Sequence, residues 1–247
     1  MTAVPLDLER ENARLENASP EERLEFAAET YGKDLLFTSS FGAQSGVLLH
    51  LWSVVCRELP VTFIDTGFLF DETLLYRNEL TNRLGLDVRV VRPDIAREAF
   101  VASYGEDIQN TDPDFCCGVN KVAPMAPLKE SARAWVSGLR RDQSRTRADV
   151  AILETEGHLV RVHPLATLTT FDVAAYLARH GIPEHPLVAR RYLSIGCAPC
   201  TRAVAAGEDV RAGRWWWESP EHKECGLHRR PLPIVRIAAA GRELTTS

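Results

Sequence analysis

Short apolar runs alternate with amphipathic stretches along most of the chain. The pattern predicts a first helix over Pro20–Tyr31, with Ser19 as its cap and Glu22 three residues after that cap. The segments that follow are predicted strands at Asp34–Ser39, Val61–Ile64, Asp87–Val91, Ala134–Ser137 and Val150–Glu154, and predicted helices at Gln44–Arg57, Asp71–Leu84, Asp94–Tyr104 and Thr170–His180. Strands that alternate with helices indicate βαβ units, so we expect an α/β fold with a doubly wound, mostly parallel sheet.

The character of the chain changes after Gly181. Prolines, arginine pairs and the run Trp215–Trp217 replace the alternating pattern and indicate an irregular C-terminal segment that lies over the domain. We therefore expect a helical N-terminal region over residues 1–30, an α/β domain over 31–190 and a C-terminal segment over 191–247. The tryptophans are expected to anchor that segment by burying apolar area. Stacking on a base or docking of a partner is the alternative.

The composition is that of an ordinary globular protein. Of 247 residues, 45% are hydrophobic and 26% are charged, which fits one large domain or one domain with an appendage. The net charge of −5 disfavours wholesale nucleic-acid binding. No apolar run approaches the roughly 18 residues that a membrane span needs, and the start carries no secretory signal. We therefore expect a cytoplasmic protein without a nucleic-acid or membrane partner.

A turn rich in hydroxyl groups connects the first predicted strand to a helix. It contains Ser39, Ser40, Phe41 and Gly42, and the N–H groups, hydroxyls and helix dipole of such a turn can hold a phosphate. It is not a Walker A loop, because no Gly-Lys-Ser/Thr follows, and it is not a dinucleotide fingerprint. Many strand-to-helix turns contain Ser and Gly, so an ordinary turn is the alternative.

The cysteines are a sharper signal. Cys56 lies in an apolar helix and is expected in the core, whereas Cys116-Cys117 and the pair Cys197 and Cys200 could converge on one site of four thiolates. Without a secretory signal, clustered cysteines favour a metal or catalysis over disulfides. Four thiolates suit zinc or an iron–sulfur cluster. An adjacent Cys-Cys pair is unusual in zinc ribbons, and unconnected thiols are the remaining alternative.

Cys225 stands apart from the other cysteines. Its neighbours His222, Lys223 and His228 are cationic or can become so, and positive charge favours the thiolate form of a nucleophile. The alternative is a surface cysteine on a tail.

Several motifs follow one another in order between residues 31 and 228. They are Ser39-Ser40-Phe41-Gly42, Cys116-Cys117-Gly118 with Lys121, Arg140-Arg141-Asp142-Gln143-Ser144, Cys197-Ala198-Pro199-Cys200-Thr201-Arg202, Gly213-Arg214-Trp215-Trp216-Trp217 and Glu224-Cys225-Gly226-Leu227-His228. As an ordered set they resemble the assimilatory adenylyl-sulfate (APS) and phosphoadenylyl-sulfate (PAPS) reductase family.

The resemblance implies a fold and a set of site residues. The fold would be related to the PP-loop ATP pyrophosphatases, with residues 31–190 binding the nucleotide, and the two cysteine pairs mark the branch that binds one four-iron, four-sulfur cluster and prefers APS. The implied residues are Cys116, Cys117, Cys197 and Cys200 as cluster ligands, Cys225 as nucleophile, Ser39, Ser40, Phe41 and Gly42 around the substrate, Lys121 between cluster and substrate, Arg211 and Arg214 on the phosphosulfate, Gly138 at the adenine and Arg147 at the ribose-phosphate region.

The implied reaction, part of sulfate assimilation, reduces APS to sulfite and AMP through a cysteine S-sulfonate that thioredoxin or a similar dithiol protein resolves. A PAPS or dual-specificity reductase, a PP-loop enzyme that thiolates tRNA and a zinc-binding module are the alternatives. Two departures from the family pattern stand out: the chain is shorter between Ser144 and Arg147, so the role of Arg147 could fall to Arg145, and residues 229–247 have no counterpart. The sequence is compatible with a homo-oligomer.

Overall fold

Two helices precede the sheet in the computed structural model, which describes residues 6–218 and 227. These are α1 (Leu8–Leu15) and α2 (Pro20–Tyr31). Ser19 Oγ accepts a hydrogen bond from the Glu22 N–H at 3.1 Å, and the Ser19 N–H donates to the Glu22 carboxylate at 2.6 Å. This reciprocal capping box confirms the predicted start of α2.

The strands lie close to their predicted positions, with one addition. They are β1 (Leu35–Phe37), β2 (Val61–Ile64), β3 (Val88–Val91), β4 (Ala134–Val136), β5 (Leu153–Glu156) and β6 (Leu159–Val162). β1 and β6 flank β4 in parallel, β3 pairs in parallel with β2, and β5 is antiparallel to β6. A parallel bridge between Thr38 and Thr62, with the Ser39 N–H donating to the Thr62 carbonyl at 3.0 Å, joins β2 to the end of β1. The spatial order is therefore β3-β2-β1-β4-β6-β5, a mostly parallel sheet.

The other helices connect or follow the strands. They are α3 (Gly46–Val55), α4 (Asp71–Leu84), α5 (Arg97–Tyr104), α6 (Ile108–Thr111), α7 (Pro113–Cys117), α8 (Ala123–Ser131) and α9 (Thr170–Arg179), with a π-helical turn at Gly118–Val122 and 3₁₀ turns at Gly32–Asp34, Arg141–Gln143, Arg145–Arg147, Pro186–Arg190 and Ala198–Cys200. The bounds of α4 agree with the prediction, and Thr169 caps α9. None of the helices in the described part of the chain is long and apolar enough to cross a membrane.

The secondary structure differs from the prediction in several places. β5 begins later than the predicted strand Val150–Glu154, and β6 was not predicted at all. The two strands form a hairpin whose short turn contains Gly157 with φ +62°, a conformation that glycine adopts without strain. α1 and the helical run from residue 108 to 131 were also not predicted.

The main core lies between the sheet and α2, α3, α4 and α9. Trp52 of α3 is fully buried, and its ring lies 4.6 Å from that of Phe37 on β1. Cys56 is buried in the same core, as predicted. Side chains packed this tightly hold the ends of β1 and β4 in fixed positions. β1 and β4 lie at the switch point of the sheet, where the order of the strands reverses. Doubly wound folds bind ligands at the carboxyl ends of the strands at this point.

Candidate functional site

A cavity of about 260 Å³ opens at the carboxyl ends of β1 and β4. The turns after both strands form one wall, and the C-terminal segment covers it from the other side. Its predicted site residues are Ser39, Ser40, Gly42, Lys121, Gly138, Arg147, Arg211 and Arg214. The fold therefore brings residues from widely separated motifs to one place.

The turn after β1 is shaped by a buried aromatic ring. Phe41 is fully buried, has a positive φ of +48° and packs edge-on against Phe63 at 5.5 Å between ring centroids. Its N–H donates to Ser39 Oγ at 3.1 Å. Ser39, Ser40 and Gly42 line the cavity, whereas the Phe41 side chain points into the core. Phe41 thus anchors the turn from behind and does not line the cavity.

Gly42 and Gly196 bring backbone segments and a cation close together. A Cβ on Gly42 would lie 3.1 Å from the Ile195 carbonyl oxygen, so the turn and the C-terminal segment touch there. A Cβ on Gly196 would lie only 1.9 Å from Nη1 of Arg214. Arg214 is 4% exposed, donates to Thr201 Oγ1 at 2.6 Å and lies 4.2 Å from the centre of the Trp215 ring. The site therefore holds this guanidinium in one place.

The arginine-rich motif after β4 contributes one cation to the cavity. Arg147 is 8% exposed and lines the cavity, whereas Arg145 is exposed and lies outside the lining. Arg140 is buried in a network with Asp142 and Gln44, and Arg141 pairs with a glutamate on the N-terminal side. The sequence left the ribose-phosphate role open between Arg145 and Arg147, and the geometry favours Arg147.

Sequence reasoning missed several lining residues. Ser137, Gln143, Leu48, Leu139, Leu165 and Ser194 also line the cavity. Gln143 lies in the motif Arg140–Ser144, which was a usable signal, and its Oε1 accepts a hydrogen bond from Arg147. The others carry no local signal, because ordinary serines and leucines reach a cavity only through the fold.

A second, smaller cavity adjoins the first. Cys116, Cys117, Cys197 and Cys200 all line it, together with Phe68, Gln109, Asn120, Pro199 and Lys121. Lys121 lines both cavities. Helix α7 carries Cys116 and Cys117, and the π-helical turn that follows carries Lys121. The Ala198 N–H donates to the Phe68 carbonyl at 2.7 Å and holds the segment of Cys197 and Cys200 against the loop after β2. The predicted convergence of the cysteine pairs is therefore present.

The surroundings of Cys116 and Cys200 oppose ionisation of these two thiols. Burial, with a contribution from neighbouring Cys197, raises the pKa of Cys116 to about 11 and that of Cys200 to about 12. Lys121 acts in the opposite direction on both pKa values. Thr66 Oγ1 lies 3.3 Å from Cys197 Sγ, and Asn120 Nδ2 lies 3.8 Å from Cys116 Sγ. Polar hydrogens of this kind are what ligating sulfurs receive from their surroundings.

The donor set of the second cavity is compatible with an iron–sulfur cluster. The four thiols surround this cavity, and Phe68, Phe100, Val119 and Trp215 form an apolar cluster with Cys197 and Cys200. Four thiolates in an apolar shell suit a four-iron cluster.

The C-terminal tail reaches the first cavity at one described position. Cys225 lies outside the described residues, but Leu227, two residues further along the chain, lines the cavity. Trp215 is buried as an anchor of the segment, as expected, whereas Trp216 is 44% exposed.

Comparisons with known proteins agree with this geometry. The family described as the phosphoadenosine phosphosulfate reductase domain matches residues 34–203. The protein named adenosine 5′-phosphosulfate reductase of Chelativorans sp. (strain BNC1) is 41% identical over 241 residues, which cover 95% of this chain and 98% of that protein. A protein of the same name from Streptomyces coelicolor is 40% identical over 223 residues, 89% of this chain and 92% of that one.

Solved structures share the fold. The PAPS reductase from Candida auris, a phosphate complex, aligns with a TM-score of 0.71 at 23% identity over 83% of this chain and 99% of that one. Candida glabrata FMN adenylyltransferase aligns with a TM-score of 0.51 at 17% identity over 80% of this chain and 66% of that one. The sheet order, the joined cavities and the sequence matches over nearly the whole chain lead to one assignment: the chain belongs to the phosphoadenosine phosphosulfate reductase family, alongside relatives named adenosine 5′-phosphosulfate reductase.

Proposed function

We propose that the protein reduces adenylyl sulfate (APS) to sulfite and AMP in sulfate assimilation, with Cys225 as the nucleophile and a thioredoxin-type dithiol protein as the reductant. The observation that carries the proposal is a nucleotide-sized cavity whose lining includes four cations, Lys121, Arg147, Arg211 and Arg214, beside a second cavity of four cysteines. The names of the relatives support the same reaction.

The cations suit the reacting group of APS. The phosphosulfate carries negative charge on both its phosphate and its sulfonate oxygens, and charge moves towards the phosphate as AMP leaves. Fixed positive groups in a water-poor site stabilise such a transition state without having to reorganise. Arg214 meets that requirement, because its hydrogen bond to Thr201 and its contact with Trp215 fix its guanidinium.

The chemical step needs a thiolate that can enter the cavity. The Cys225 thiolate attacks the sulfonate sulfur, the bond from that sulfur to the bridging oxygen breaks, and AMP departs with the electron pair. Leu227 in the cavity lining supports an approach of the tail motif from this side. A thiolate of the dithiol protein then attacks Cys225 Sγ and expels sulfite, and its second thiol frees Cys225 by closing a disulfide on the donor. The donor is thereby oxidised, and the sulfonate is released as sulfite.

The four cysteines of the second cavity are proposed as ligands of one four-iron, four-sulfur cluster. Bound there, the cluster would supply structural rigidity and a fixed charge beside the substrate. Lys121 lines both cavities, so its ammonium group can face the thiolates and the phosphosulfate together. Thiol reductants act in reducing compartments, so we propose the cytoplasm as the place of action.

The arginines favour APS over PAPS. PAPS carries an additional 3′-phosphate, which costs several kcal/mol if it is buried without charged partners. Arg140 and Arg141 are engaged with Asp142 and Glu16, and Arg145 lies outside the cavity lining. Of these four arginines, Arg147 lines the cavity. The other three are therefore not placed to pair with the 3′-phosphate of PAPS.

The deciding experiment incubates the anaerobically purified protein with APS and a dithiol protein and measures sulfite. Without the reductant, mass spectrometry is expected to find a sulfonate adduct on the Cys225 peptide. Cys225→Ser is expected to lose the adduct and the sulfite while retaining AMP binding. An adduct on another cysteine would refute the assignment of the nucleophile, and equal kcat/KM for APS and PAPS would refute the preference. Release of pyrophosphate from ATP would favour the tRNA-thiolating alternative.

The cluster is tested separately by metal analysis. The purified protein is expected to contain iron and acid-labile sulfide, and Cys116→Ala is expected to lose both. Cys56→Ala is the matched control, because Cys56 is buried in the main core and lines neither cavity. Stoichiometric zinc without sulfide would contradict the cluster and favour a zinc-binding module.

A further inference from the structure

Three side chains from neighbouring strands form a hydrogen-bonded chain that ends at the first cavity. Ser137, directly after β4, has its Oγ 2.9 Å from Nδ1 of His163, and Nε2 of His163 lies 3.3 Å from Oε2 of Glu154 on β5. His163 is fully buried, and Ser137 is 3% exposed and lines the cavity. The proposed reaction uses none of these three residues.

The chain of bonds fixes the direction in which the serine hydroxyl points. An ionised carboxylate can only accept hydrogen bonds, so Nε2 of His163 carries the proton that Glu154 receives. Nδ1 of the neutral ring is then a lone pair, and it can only accept. The Ser137 hydroxyl must donate its proton to Nδ1, which leaves only oxygen lone pairs for a ligand.

Electrostatics supports these protonation states. Burial is the main cause that lowers the pKa of His163, and the nearby charges of Arg161 and Arg147 act in the same direction, so the ring is neutral near pH 7. The hydrogen bond from His163 is the main cause that lowers the pKa of Glu154, which keeps that carboxyl ionised. Glu154 raises the pKa of His163 through the same bond, but burial of the fully enclosed ring outweighs it.

The part of the cavity next to Ser137 suits a nucleotide base. A Cβ added to Gly138 would have only Leu48 Cδ2 nearby, at 3.7 Å, so open space adjoins this backbone. Phe37, Leu48, Leu139 and Leu165 give the lining an apolar character around it. A flat, largely apolar base fits there, while the phosphosulfate meets the cations.

We propose that Ser137, held as a hydrogen-bond acceptor by His163 and Glu154, selects a base with an amino group, as in adenine, over one with a carbonyl oxygen in that place, as in hypoxanthine. The inference rests on the proposed function, because it takes the occupant of the cavity to be a nucleotide. Ser137 contacts the base, while His163 and Glu154 are positioning residues. A carbonyl oxygen facing the Ser137 lone pairs would find no donor and would lose its hydrogen bond to water.

The test compares the affinities of AMP and IMP by titration calorimetry. The wild-type protein is expected to bind AMP at least about tenfold more tightly than IMP, since one unpaired buried polar group has about this effect. Ser137→Ala is expected to remove most of that preference by weakening AMP binding. His163→Leu is expected to reduce the preference for AMP over IMP by another route. Without His163 the Ser137 hydroxyl can donate to the IMP carbonyl, so IMP binding improves while AMP binding is largely retained.

A second buried hydroxyl–imidazole pair provides the control. Thr73 Oγ1 lies 3.0 Å from Nε2 of His185, both residues are buried, and neither lines the cavity. Thr73→Val therefore removes a bond of the same kind and is expected to lower thermal stability without changing the AMP-to-IMP ratio. If His163→Leu does not fold, Ser137→Ala alone decides.

The outcomes separate the two proposals. An unchanged AMP-to-IMP ratio in Ser137→Ala, or equal weakening of both nucleotides, overturns the role of Ser137. The proposed function would survive this failure of the Ser137 proposal, provided that the wild-type protein forms sulfite from APS. A wild-type protein that binds neither nucleotide and forms no sulfite overturns both.

Discussion

Gly196 leaves room for the Arg214 guanidinium, so Gly196→Ala is expected to displace this cation although Arg214 itself is not substituted. The added methyl carbon would lie 1.9 Å from Nη1 and 2.5 Å from Cζ of Arg214, far inside van der Waals contact. The guanidinium would have to move, and it would lose its 2.6 Å hydrogen bond to Thr201 and its place 4.2 Å from the Trp215 ring centre.

The size of the effect follows from what those contacts supply. A hydrogen bond from a charged donor contributes about 1.5–3 kcal/mol, and a desolvated cation–π contact contributes about 1–2 kcal/mol. In the proposed role, a displaced Arg214 would also stop stabilising charge on the substrate, and loss of one such donor typically lowers turnover about 100- to 1,000-fold. We expect kcat/KM for APS to fall about a hundredfold. The two contacts together supply about 2.5–5 kcal/mol, so we expect the melting temperature to fall by about 5–20 °C, at roughly 2–4 °C per kcal/mol.

A double-mutant cycle isolates the cause. In an Arg214→Ala background the methyl group has space, so adding Gly196→Ala is expected to change kcat/KM by less than about twofold. Sulfite formation from APS and thermal melting are measured for all four proteins. Additive effects of the two substitutions would refute the reasoning, because they would show that the methyl group acts through something other than Arg214.

Three further predictions concern the cap, the base and a buried histidine. Ser19→Ala is expected to lower the free energy of unfolding by about 1 kcal/mol, measured by urea denaturation, with unchanged sulfite formation; a change in activity would contradict a purely structural cap. Gly138→Ala is expected to weaken AMP binding by about tenfold while the unfolding free energy changes by less than about 1 kcal/mol, because only Leu48 lies near the added carbon; normal AMP affinity would exclude Gly138 from the base site. Burial lowers the pKa of His185 from 6.5 to about 4. The unfolded chain therefore takes up this proton at a higher pH than the folded protein does. The free energy of unfolding is expected to fall as pH drops from 6.5 towards 4, by no more than about 3 kcal/mol. His185→Gln is expected to lose that part of the pH dependence in urea titrations at the two pH values, and an identical slope in both proteins would refute it.

The local signals in the sequence were sufficient for the elements whose causes are local. The cap Ser19, the apolar period of Asp71–Leu84 and the β-branched run Val61–Ile64 each act over a few residues, so each element has its predicted bounds. The alternation of strands and helices also determined the parallel sheet, because a parallel connection needs a helix between its strands. The motifs indicated which residue types take part in the chemistry.

The helical run from residue 108 to 131 shows where local signals fail. Pro113, Gly118 and Pro127 interrupt its sequence, and yet the chain is helical through most of it. Proline disfavours helix interiors because it lacks an N–H donor, so local propensity predicted no element here. Phe115 stacks on Phe100, and Val119 belongs to the same apolar cluster. Contacts of this kind between distant segments are not visible to a local pattern.

The site itself divides in the same way. The sequence alone determined that four cysteines, a lysine and several arginines are available, and motif order assigned them to a family. Only the tertiary structure decided that the cysteine pairs share one cavity, that Lys121 lines both cavities, that Phe41 turns into the core and that Arg147 rather than Arg145 lines the first cavity. The physical reason is that a residue's identity and its short-range geometry are fixed by its neighbours along the chain, whereas burial and convergence depend on segments that meet only when the whole core packs.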